Sequence, residues 1–161
     1  VMVADGGQSE SIEARTEAAR TALALVQDFP IVGSGGGSFY NLFLSYRTAQ
    51  YGYSYVDHTH NDYVEIASDY GLVGLGILGL LVGMTLWKTL QVLAKRKSVL
   101  PRGLAFGVAM AIVGLMIHST VDFNLQIPAN ALTMVVILAM GWLSYTLPSG
   151  ASTSKIKRKK D

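Results

Sequence analysis

The chain has no cysteine, so disulfide staples, thiolate metal ligands and thiol nucleophiles are all excluded, although this does not fix a redox compartment. Charge is missing from two long runs: Gly71–Trp87 and Gly103–Val121 contain no Asp, Glu, Lys or Arg. Basic residues are scarce in the first 70 positions, where Arg15, Arg20 and Arg47 face nine acidic residues. No glycine-rich turn ends in Gly-Lys-Ser/Thr, which argues against a nucleotide P-loop. The opening Val1-Met-Val-Ala-Asp has no basic n-region and no small-residue cleavage site, so it does not read as a signal peptide. The expectation is a C-terminal piece of a longer membrane protein.

What is present is apolar length. Runs of 18 or more nearly uncharged apolar residues match the roughly 30 Å hydrocarbon core of a bilayer. Spans are therefore expected at 71–94, 103–121 and 128–147, with the lipid bilayer as an obligatory partner. Lys95-Arg-Lys97 with Arg102, and Lys155–Lys160, are basic clusters separated by two crossings. By the positive-inside rule the loop 95–102 and the tail 148–161 fall on the cytoplasmic side. Residues 1–70 and the short loop 122–127 then lie outside, in the periplasm if the cell has one. Headgroup contact or solvation accounts for the basic tail, and no nucleic-acid partner is expected.

Within residues 1–70, the stretch from about 9 to 29 has helical periodicity, with Ser9 or Ser11 as a cap and Pro30 as the stop. Steps of three and four place Ile12, Arg15, Ala19, Ala22, Val26 and Phe29 on one face, with Glu10, Glu13, Glu17 and Arg20 opposite. Arg15 on an apolar face suggests a fork for phosphate; an edge arginine snorkelling to water is the competing reading. The segment 30–57 is rich in glycine and tyrosine. Pro30-Ile-Val-Gly-Ser-Gly-Gly-Gly-Ser-Phe39 lets backbone N–H groups, Gly35 among them, approach an oxyanion or sugar, or serves as a flexible connector. Tyr40, Tyr46, Tyr51, Tyr53 and Tyr55, with Arg47 among them, fit an interfacial aromatic belt and equally a carbohydrate platform.

The motif 58–70 begins His58-Thr-His-Asn-Asp-Tyr-Val-Glu65. Asp62-Tyr-Val-Glu65 has the form of a capping box starting a helix at Tyr63. His60 and Asn61 then precede a helix N-terminus, which favours an anion, and a neutral imidazole there suits a general base. His58-x-His60-x-Asp62 resembles a metal site in spacing, but with Asp62 used as the cap no metal is expected. Two structural histidines at a water–lipid boundary form the bland alternative. His118 and Asp122, four apart at the end of the second span, are expected to share a helix face and to converge with His60, since ionisable groups at a membrane boundary are functional candidates. Gly79-x-x-x-Gly83 and Gly103-x-x-x-Gly107 are expected to let the first two spans pack closely.

These motifs, in order, resemble the O-antigen ligase and polymerase family. Arg15, then Pro30-Ile-Val-Gly-Ser-Gly-Gly-Gly-Ser-Phe39, then His58–Glu65 with Gly71-Leu-Val-Gly74, then Val121–Ala131 carry the likeness. The resemblance implies an all-α integral membrane glycosyltransferase of the GT-C-like kind, with residues 1–70 as part of a large periplasmic loop. It implies inverting, metal-independent transfer of a preassembled glycan from an undecaprenyl-diphosphate donor to a lipid or glycan acceptor, without a cofactor. His60 would activate the acceptor hydroxyl. Arg15, Arg47, Gly35 and Asn61 would bind diphosphate or glycan, and His58, Asp62, Glu65, His118 and Asp122 would support them. The fragment alone would be inactive. Polymerase or protein O-oligosaccharyltransferase activity stays open, as does a non-enzymatic flippase component.

Overall fold

The structure is a computed structural model that describes residues 6–46 and 58–148. Arg47, Tyr51, Tyr53, Tyr55 and the basic tail lie outside the described residues. Within them the fold is all-α: α1 Gly6–Asp28, α2 Phe39–Tyr46, α3 Asp62–Lys95, α4 Val99–His118, a short 3-10 helix Asn124–Gln126, and α5 Pro128–Thr146. Helices α3, α4 and α5 are each long and apolar enough to cross a membrane. The protein is thus a multi-pass membrane protein. Two compact units are formed, Val1–Leu78 with Ile117–Ile127, and Gly79–Met116 with Pro128–Asp161.

In the first unit, α1 and α2 bury Ala18, Ala22, Leu25, Phe39 and Phe43 together. Each large side chain taken from water contributes about 1.5–3 kcal/mol, so Leu25 and the tilted Phe39–Phe43 pair dominate this small core. The buried stripe is Glu17, Ala18, Thr21, Ala22 and Leu25, while Arg15 is exposed. Counting apolar residues thus put α1's inner face out of phase. The helix also starts at Gly6, before Ser9 and Ser11, so neither serine is its cap.

Helix α3 is not straight. Gly71 has φ 68° and ψ −176°, which breaks the ladder where the apolar run begins. The chain from Pro30 to Gly35 fills the break. Leu72 and Val73 donate to the carbonyls of Pro30 and Ile31 (2.9 and 3.2 Å), and Ser34 and Gly35 donate to those of Ser68 and Asp69 (2.8 and 2.9 Å). The loop therefore satisfies the donors and acceptors that a kink leaves orphaned in an i→i−4 ladder. Both crossing points require glycine: a Cβ on Gly33 would lie 2.3 Å from the Asp69 carbonyl oxygen, and one on Gly71 would lie 2.2 Å from that of Ile31. Gly33 serves this close approach, whereas a Cβ on Gly37 of the same turn would meet nothing within 4 Å.

In the second unit, a Cβ on Gly79, Gly83, Gly103 or Gly107 would meet nothing within 4 Å. The small-residue packing expected there is absent. Gly141 of α5 supplies the close contact instead, against Thr85, Thr89 and Val108, and the Trp142 indole N–H donates to the Thr85 hydroxyl (3.1 Å). The basic connection between α3 and α4 is shorter than expected, because α4 begins at Val99 and takes Pro101 and Arg102 into its first turn, where proline loses no helical bond. The Arg96 guanidinium donates to the carbonyls of Tyr145 and Leu147, so α3 and α5 end at one level.

Candidate active site

The motif 58–65 is built around the start of α3, and Asn61 rather than Asp62 is the cap. The Asn61 side-chain oxygen accepts from the N–H groups of Tyr63 and Val64 (3.0 and 3.2 Å), and its backbone carbonyl accepts from Glu65 (3.1 Å). These are the first orphan donors of the helix, so the N-terminus is closed rather than open to an anion. The Asn61 amide nitrogen donates to the Thr120 carbonyl (3.1 Å).

Released from capping, Asp62 is fully buried and holds another segment. Its carboxylate accepts the Leu125 N–H (3.0 and 3.1 Å), and its own N–H donates to the Ser119 carbonyl (3.0 Å). With the Asn61–Thr120 bond, this fastens the histidine motif to the turn after α4. Glu65 reaches back along the motif. One carboxylate oxygen accepts the Thr59 N–H (2.9 Å), and the other lies 2.7 Å from His58 Nδ1. A carboxylate only accepts, so His58 carries its proton on Nδ1. Its ring stacks on Phe123, centroids 4.5 Å apart and 10° between planes.

His60 is held differently. It is the one described non-glycine residue with positive φ (53°), an uncommon backbone conformation. Its ring meets Phe123 edge-on at 5.0 Å, and its Nδ1 lies 3.7 Å from Asp122 Oδ1. The other oxygen of Asp122 lies 3.8 Å from His118 Nε2. One half-buried carboxylate therefore sits between two imidazoles. Helix α4 ends at His118, so Asp122 reaches it through the turn and not, as expected, along a shared helix face. Thus His58, His60 and Asp62, two apart in sequence, take three different partners. Among the described residues no three His, Asp or Glu side chains are placed to share a metal ion.

Gly35 has φ 118° and commits its N–H to Asp69. Asp69, fully buried, accepts from the N–H groups of Gly37 and Phe39 (2.7 and 3.2 Å) and so ties the glycine turn to the start of α2. Sequence reasoning missed Thr59 and Phe123. Phe123 had a signal, since it follows Asp122 directly.

Residues 1–79 match the O-antigen ligase family. No curated protein and no solved structure matches the chain. The matched region holds Arg15, the glycine turn, the whole motif 58–65 and the Gly71 break. This likeness, which covers 79 of the 161 residues, supports a role in polysaccharide biosynthesis and the character of a glycosyltransferase-like enzyme working on lipid-linked glycans in a membrane.

Proposed function

We propose that the complete protein transfers a preassembled glycan from a polyprenyl diphosphate carrier to an acceptor hydroxyl, with His60 as general base. The observation that carries this is the contrast between the two motif histidines. The two rings are equally exposed, but His58 has its Nδ1 held 2.7 Å from Glu65 and its face stacked flat on Phe123, whereas His60 meets Phe123 only edge-on and its Nδ1 lies 3.7 Å from Asp122. His60 Nε2 takes the acceptor proton as the hydroxyl oxygen bonds to the anomeric carbon. The bond from that carbon to the phosphate oxygen breaks, and the diphosphate leaves with the electron pair. The imidazolium formed faces the Asp122 carboxylate, and the exposed Arg15 neutralises the departing diphosphate without a metal ion. Attack opposite the leaving group inverts the anomeric centre. By the positive-inside rule the site belongs on the periplasmic side of the inner membrane, and the donor is the undecaprenyl-diphosphate glycan.

A flippase reading predicts an unwound helix with free carbonyls lining a path. The break at Gly71 is filled, its backbone groups paired by residues 30–35, which favours the enzyme. The test is to supply the complete protein in proteoliposomes with polyprenyl-diphosphate glycan and acceptor. Stoichiometric release of polyprenyl diphosphate with an inverted glycosidic bond in the product is expected; glycan crossing the bilayer still joined to its carrier would sink the proposal.

A further inference from the structure

The tip of the loop that fills the α3 break exposes apolar side chains: Ile31 is 65% and Val32 73% exposed, and Phe29 beside them is exposed as well. Solvated apolar side chains on a tight turn are individually ordinary. Their position makes these different. The Ile31 carbonyl is bonded to the Val73 N–H and the Pro30 carbonyl to the Leu72 N–H. Leu72 and Val73 are themselves exposed and begin the uncharged run through which α3 crosses the bilayer. Four backbone bonds, with glycine at both crossing points, hold the tip within hydrogen-bond distance of the chain where the apolar run starts. Ile31 and Val32 therefore lie at the depth where α3 enters lipid.

We infer that Phe29-Pro-Ile-Val32 is an interfacial anchor, inserted among the lipids of the leaflet at the Gly71 end of α3. The occupant of this apolar tip is phospholipid, because the tip is continuous with a lipid-facing stretch of the same chain. An amphipathic element seated in this way buries its apolar side chains near the headgroup–acyl boundary. Its neighbour through the same splice is Asp69, which fastens the glycine turn and α2. The anchor thus ties the depth of the loop to the bilayer itself, and it does so whatever reaction the site performs.

The absence of cysteine makes the test clean, since one introduced thiol is unique. In the complete protein with no other cysteine, Val32→Cys carries an environment-sensitive fluorophore in phosphatidylglycerol–phosphatidylethanolamine vesicles. Ile31→Cys is a second probe, and Arg20→Cys, exposed on α1, is the reference. Expected is a blue-shifted emission at 31 and 32, at least severalfold protected from aqueous iodide relative to position 20, and quenched by nitroxide attached high on the acyl chain. Iodide quenching at 31 and 32 equal to that at position 20 would overturn the inference. So would protection from both iodide and lipid nitroxide, which would mean that protein covers the tip. Unchanged detergent-phase thermal unfolding of each variant establishes that the label reports the folded state.

Discussion

At the scale of single residues, the proposed chemistry and the fastening fall to different members of the motif. Thr59 and Glu65 are buried and spend their polar atoms within the motif, and the buried Asp62 holds the turn after α4, whereas His60 and Asp122 stay partly open and face one another. Asp122→Asn keeps the shape but removes the charge facing the imidazolium. It is expected to lower kcat by about 10-fold or more, part of the roughly 10²–10⁴ that a positioned base contributes, with KM little changed; steady-state transfer kinetics check this. Tyr46 makes a different kind of contact: its hydroxyl donates to Asp28 (2.7 Å), and that bond first, with some burial and the nearby charge, holds its pKa above the usual tyrosine value. A group whose folded pKa is raised stabilises below its unfolded pKa and ceases to do so as pH rises through the folded one. The unfolding temperature of Tyr46→Phe should therefore fall below wild type at neutral pH and converge with it in strong alkali. From sequence, the meeting of His60, His118 and Asp122 was legible because ionisable groups at a membrane mouth have few other uses. The capping residue was not, because Asn61 and Asp62 are adjacent and both are good caps; only the buried partner waiting at Leu125 decides between them.

At the scale of elements, the apolar runs made the three long helices legible, since nothing but a bilayer accommodates such length without charge. The break at Gly71 stayed hidden because a glycine at the head of such a run looks the same whether it packs, kinks or merely sits there. The phase of α1 failed for a related reason. Its inner face is closed by small residues and carries Glu17, so a search for apolar spacing slid to the neighbouring stripe. Glycine substitutions separate the roles quantitatively. Gly71→Ala and Gly33→Ala place a Cβ on backbone atoms at positive φ. Beyond the roughly 1–2 kcal/mol of left-handed strain, each should forfeit bonds of the splice worth about 1 kcal/mol apiece. Gly37→Ala, at φ 71° but in open space, should cost the strain alone. Gly79→Ala, mid-helix with nothing nearby, should be neutral or stabilising by about 0.5–1 kcal/mol. Thermal unfolding in one detergent should rank the variants in that order.

At the scale of the whole molecule, the account joins a membrane topology to a chemistry. The topology predicts that Lys97→Cys is modified by an impermeant maleimide only after the inner membrane is opened, and Val121→Cys whenever the periplasm is reached; intact spheroplasts distinguish them. The chemistry rests on one imidazole. His60→Ala would remove it but leave a side chain strained at φ 53°, whereas His60→Gly removes it and relaxes the backbone. The most direct measurement is therefore glycan transfer by the complete protein in membranes, wild type against His60→Gly and Arg15→Ala, with polyprenyl-diphosphate glycan as donor and chelator throughout. The account predicts full wild-type activity in chelator, a loss of about 10²-fold or more in His60→Gly with insertion unchanged, and a large loss in Arg15→Ala. Full transfer by His60→Gly would contradict it and remove His60 from the mechanism.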